Sequence, residues 1–262
     1  MRDLDEGLDS QGFIVTGVDR GRIPASFEPI LRDIVEGVDD DVSVYVYGSV
    51  ATGRARLGRS DVDVVALGMD PARARLLARD LTARYATLAR DVAIGAWTAD
   101  DLAEGDAGHG NCVFLKHYCA WLAGPDPAAS MPSFRGDVAA ARGFNGDLPA
   151  VVVRWIEALG SLDSGAQGSV DGLARRIGRK SLFAVASMVS VHDAIWTTDR
   201  AAASARWGQL HPELAADLEL LLAWGDETAS PSRAEVDRML HTRIPTLVDQ
   251  FVALIGAWDQ GA

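Results

Sequence analysis

The chain has 262 residues, 48% of them hydrophobic and 24% charged, with 25 Lys+Arg against 37 Asp+Glu for a formal net charge of −12. This length suggests two domains with real cores, and the acidic balance argues against a large nucleic-acid surface, which needs an excess of Lys and Arg. The polar, acidic start MRDLDEGLDS is no signal peptide and no apolar run reaches membrane-spanning length, so the expectation is a cytoplasmic protein without a membrane partner.

In chain order, Phe13-Ile14-Val15 is the first apolar piece, short enough for an edge strand or a loose arm. Phe27, Ile30, Leu31 and Ile34 then repeat at helical spacing, with Ser26 as N-cap candidate. Val42, Val44 and Val46 alternate with Ser43, Tyr45 and Tyr47 as a strand ended by Gly48-Ser49, and residues 61–67 form a second strand. Asp70-Pro71 opens a helix reaching about Leu88, and DVAIGAW, residues 91–97, reads as a third strand. Residues 98–104 and 111–123 read as helices. Cys112 and Cys119 fall in the second, seven residues apart, as two buried thiols rather than a disulfide. The Pro-, Gly- and Ser-rich run 124–136 marks a boundary. Beyond it the pattern is helical at 148–160, 171–196, 199–208, 211–224 and 231–257. The fold class expected is therefore α+β: a small mixed-sheet domain over 1–130, followed by an all-helical domain over 137–262.

The chemistry concentrates in VSVYVYGSVATGRARLGRSDVDVVAL, residues 42–67. Asp61 and Asp63 are two apart on a strand, so they share a face about 7 Å apart. Two acids so placed want a cation between them, and Mg²⁺, which combines carboxylates with substrate phosphates, fits. Gly48, directly after a strand, lets backbone N–H groups approach a phosphate; a helix starting near Val50 would point its positive end there, and Ser49 adds a hydroxyl. Asp91 opens the third strand, and strands lie about 4.8 Å apart, so its carboxylate is expected to join the other two around two metal positions. Asp61 and Asp63 would bind the ion on a triphosphate, and Asp91 would hold a second ion or take the proton from an attacking hydroxyl.

Gly48-Ser49, eleven residues, then Asp61-Val62-Asp63 and the later Asp91 resemble the signature of the polymerase-β-type nucleotidyltransferases, in particular the bacterial group that includes aminoglycoside adenylyltransferases. The resemblance implies that Gly48 and Ser49 hold the triphosphate, that Asp61 and Asp63 ligate magnesium, and that Asp91 is a ligand or base. It also implies ATP as the nucleotide donor and AMP transfer to a hydroxyl of a small molecule, possible antibiotic resistance included.

In the second half, Arg175, Arg176, Arg179 and Lys180 fall within about 140° of one helix face, beside the apolar LFAVASMVSV. Arg179 and Lys180 are the expected nucleotide contacts. The stretch from Ser181 to Leu214 resembles the helical domain of the aminoglycoside adenylyltransferases more loosely. Just before it, the streptomycin- and spectinomycin-modifying enzymes have acidic residues for a cationic drug, where this chain has RRIGRK. Glu157, Asp163, Asp171 and Asp193 are the remaining cation partners. His109 is expected in a cleft-lining or surface loop. Two other readings are a nucleotidyltransferase with a protein or tRNA acceptor, and a non-catalytic nucleotide-binding module on the same fold.

Overall fold

The computed structural model describes residues 3–162 and 167–259. The chain divides into two compact units, Asp3–Phe134 and a second beginning at Arg135. Asp163 lies outside the described residues.

In the first unit a short antiparallel pair, β1 (Gly7–Leu8) and β2 (Ile14–Val15), precedes α1 (Glu28–Glu36). Ser26 does not cap α1: a 3₁₀ turn over Ala25–Phe27 leads into it. Then come β3 (Ser43–Tyr47), the single turn α2 (Gly48–Ala51), β4 (Val62–Leu67), α3 (Pro71–Arg84) and β5 (Val92–Trp97). Asp70 caps α3 through the amides of Ala72 and Arg73. The unit ends with α4 (Asp106–Tyr118), β6 (Cys119–Ala123) and α5 (Pro127–Ser130).

The sheet order is β5-β4-β3-β6, parallel between β4 and β5 and antiparallel elsewhere. Strand alternation gives it two faces. Val44, Val46, Val62, Val64 and Ala66 pack with Ile30, Ile34 and Leu81 of α1 and α3. Tyr45 and Val65 pack with Leu115 of α4, with Tyr47, Trp97 and Phe114 against them. The helix expected over 111–123 is thus corrected: it stops at Tyr118 and CAWLA is a strand. The central strand β3 needs a second neighbour for its backbone groups, and that demand outweighs the local helical pattern. His109 is likewise on α4, not in a loop, with its ring edge-on to Phe134.

The second unit is helical: α6 (Val138–Asn145), α7 (Leu148–Gly160), α8 (Gln167–Asp193), α9 (Arg200–Leu210), α10 (Ala215–Gly225), α11 (Arg233–Thr242) and α12 (Ile244–Leu254). The long helix α8 buries Leu173, Ile177, Leu182, Val185 and Met188. The run expected at 231–257 is two helices, because Pro245 has no N–H to continue a ladder and stands in the first turn of α12. No described helix is long and apolar enough to cross a membrane.

Candidate active site

The site residues of the first unit sit where β3 leaves the sheet. Tyr47, the last residue of β3, pairs with Asp63 on β4, and the chain turns at once through Gly48 at φ +71°. That left-handed conformation suits glycine, and a Cβ there would stand 3.3 Å from the Asp63 Oδ2. The carboxylate and the backbone turn are therefore immediate neighbours. Ser49 follows, half-buried, within the one turn of α2, which opens at Gly48 rather than near Val50. The Thr52 hydroxyl donates back to the Gly48 carbonyl at 3.1 Å, and the Asp19 amide donates to the Ala51 carbonyl at 3.1 Å.

Asp61 stands just before β4, two residues from Asp63 and so on its side of the strand. Its carboxylate is gripped by the Arg90 guanidinium through two bonds, Nε to Oδ1 at 2.8 Å and Nη2 to Oδ2. The pair is local in origin, since the Arg90 amide donates to the Ser60 carbonyl and Val62 to the Asp91 carbonyl as β4 and β5 come together.

Asp91 is not brought to these two. Its Oδ1 accepts from the Thr82 hydroxyl of α3 at 2.9 Å, on the opposite face of the sheet, and its side is exposed. On the Asp63 face β5 presents Ala93, Gly95 and Trp97, the register partners of Asp63, Val65 and Leu67. Among the described residues no group of three or more His, Cys, Asp or Glu side chains is arranged to hold a metal ion. The expected ring of three acids is not assembled; two carboxylates share a face and the third is turned away.

An aromatic wall borders the acids, a feature the sequence reading passed over. The Tyr47 ring meets Phe114 edge-on at 5.0 Å, and Phe114 stacks on Tyr118 at 6.1 Å. Burial, with the charge of Asp63 next, pushes the Tyr47 phenol well above its usual range, so it stays protonated as a neutral neighbour of the acids. Cys119, opposite Tyr47 on β6, is a free thiol held far above the ordinary thiol range by burial, as Cys112 is held up on α4. The aromatic spacing on α4, Phe114 and Tyr118 at i and i+4, was the signal available in the sequence.

The remaining candidates lie in the second unit, on α8. Arg179 Nε donates to the Gly225 carbonyl at 2.9 Å, and Lys180 Nζ meets Asp147 at 2.7 Å and the Phe144 carbonyl at 3.0 Å. Arg175 pairs with Glu227 at 3.4 Å. Both Arg179 and Lys180 border a cavity of about 540 Å³. Of the other acids considered, Asp193 is bound by Arg206 at 2.7 and 2.9 Å, and Asp171 accepts from Ser230 at 2.6 Å.

No curated protein matches the chain. Residues 27–102, which run from the start of α1 past the end of β5 and contain Gly48, Ser49, Asp61, Asp63 and Asp91, match the family model described as nucleotidyltransferase domain, a match that supports the polymerase-β-type resemblance for this stretch of the first unit.

Proposed function

We propose that the protein transfers a nucleoside monophosphate, AMP from Mg·ATP, to a hydroxyl of a small-molecule acceptor, as the aminoglycoside adenylyltransferases that its motifs resemble do. The observation that carries this reading is the Gly48 turn inside the matched domain, with the Asp63 carboxylate 3.3 Å from where a Cβ on Gly48 would stand. A glycine turn bears exposed amides for phosphate oxygens, and the acid beside it suits the cation that such phosphates bring.

Asp61 and Asp63 are hard oxygen donors, and Mg²⁺ is commonly held by one or two carboxylates completed by substrate phosphates, so the pair fits one such ion. Bound there, the ion would supply charge neutralisation on the leaving pyrophosphate. In the reaction the acceptor oxygen bonds to the α-phosphorus, the bond from that phosphorus to the bridging oxygen breaks, and pyrophosphate leaves with the electron pair. The hydroxyl proton goes to a carboxylate. Asp91, bonded to Thr82 away from Asp61 and Asp63, is not placed beside them to take it. Gly48 and Ser49 orient the triphosphate, and Arg179 and Lys180 remain candidate nucleotide contacts.

Incubation with ATP, Mg²⁺ and a panel of hydroxyl acceptors should release pyrophosphate and add one adenylyl group, about 329 Da, to one acceptor. Asp63→Asn should lower turnover by about 100-fold or more with the circular dichroism spectrum unchanged. Retention of most activity in that variant would remove Asp63 from the mechanism.

A further inference from the structure

We infer that the second unit carries its own binding site for a small organic anion built on an apolar ring, in the cavity beside α8. The volume, about 540 Å³, is in the range of small-molecule sites. Its walls combine two kinds of chemistry. Trp155 and Phe183 give it an aromatic side, and Arg176, Arg179, Lys180 and Arg200 give it a cationic one. That is a concentration of positive charge on a chain whose net charge is −12.

The fold explains how the cations meet. Gly178 of α8 lies against α10 so closely that a Cβ would stand 2.3 Å from the Leu221 carbonyl and 2.7 Å from the Gly225 amide. This contact lets Arg179 reach the Gly225 carbonyl and brings Arg200 of α9 to the same crossing, where it pairs with Asp226 at 3.1 Å. Lys180 is pinned by Asp147. Two of the four cations thus have carboxylate partners that fix them, while Arg176 has no hydrogen-bond or ion-pair partner among the described residues. The arrangement leaves net positive charge beside stacking surfaces. A ring lies on Trp155 and Phe183, and its phosphate or carboxylate meets Arg176 and Arg200. A polycation would meet the same guanidinium groups and be repelled.

This inference concerns binding alone and stands whether or not transfer occurs. Two sources supply the chemistry, the nucleotide donor or an anionic acceptor, and titration calorimetry on the full chain at low ionic strength separates them. The probes are AMP, indole-3-acetate, its neutral counterpart indole-3-ethanol, and spermine, each also titrated into Asp63→Asn so that any contribution of that carboxylate in the first unit shows as a difference. At least one anion should bind about tenfold or more tightly than indole-3-ethanol, the worth of one charge-assisted hydrogen bond, and spermine should not bind there. Stronger AMP binding assigns the cavity to the donor; stronger indole-3-acetate binding assigns it to the acceptor. Arg176→Gln with Arg200→Gln should weaken the anion about tenfold with an unchanged melting curve, and Arg176→Lys should keep part of the affinity. Neither AMP nor indole-3-acetate binding more tightly than indole-3-ethanol, or no loss in the double variant, would overturn the inference while leaving the pyrophosphate assay free to stand.

Discussion

Gly48 is held to its identity twice over, by a φ of +71° and by the Asp63 oxygen 3.3 Å from where a Cβ would sit. Gly48→Ala should therefore cost about 1–2 kcal/mol, read as a melting temperature lower by about 2–8 °C, and should weaken ATP binding as Asp63 is displaced. An unchanged melting temperature together with unchanged ATP affinity would show that the turn tolerates a side chain. Asp61 has a different constraint, since Arg90 occupies it before any metal arrives. The pair is partly exposed, and such pairs are worth up to about 1 kcal/mol, so Arg90→Ala should lower the half-saturating Mg²⁺ concentration by about two- to fivefold. Activity measured against Mg²⁺ concentration decides this. The acids' shared face was legible in the sequence because a strand's period is two. The direction of Asp91 was not, because it depends on Thr82, a helix residue whose closeness to the strand is a tertiary fact.

At the scale of elements, the strands that carry valine alternation, β3 and β4, were plain from the pattern, whereas β6 was not. CAWLA continues the apolar spacing of α4, and only the open edge of β3 makes it extend. Gly124 shows how tightly that pairing is closed: at φ +74°, a Cβ would stand 2.0 Å from the Val42 carbonyl. Gly124→Ala should destabilise the first unit by about 3 kcal/mol or more, seen in the denaturant midpoint. The C-terminal end of α4 carries a second lock. His117 Nε2 accepts from the Phe134 amide at 2.9 Å, while Ile14 donates to the Phe134 carbonyl at 2.9 Å. Burial, and then the charge of Lys116, lower the His117 pKa from 6.5 to about 4. Above pH 6.5 the ring is neutral in both folded and unfolded chains. Between pH 6.5 and about 4 the unfolded chain binds a proton that the folded one refuses, so stability falls as the pH drops through that window. Melting at pH 7 and pH 5 should show a loss that His117→Gln reduces; an identical slope in that variant would place the sensitivity elsewhere.

For the whole molecule, length and the run of helical spacing after residue 136 were enough to expect a sheet-bearing part followed by a helical part, because each helix there buries its own stripe. The first helix of that part, α6, was missed, being short and rich in alanine and glycine. The net charge of −12 belongs to the molecule as a whole. It should leave duplex DNA unretained in a filter-binding assay at about 100 mM salt, since affinity for the phosphate backbone requires clustered cations. Retention at that salt would mean that the cations of α8 outweigh the surrounding acids.

The order of strands also has a bearing on synthesis. β3 occupies residues 43–47, yet one of its two sheet neighbours is β6, residues 119–123. A growing polypeptide therefore carries a valine-rich strand with one bare edge until most of the first unit has left the ribosome. An edge of that kind is a general liability for mispairing, and in this fold only the synthesis of residues 119–123 removes it.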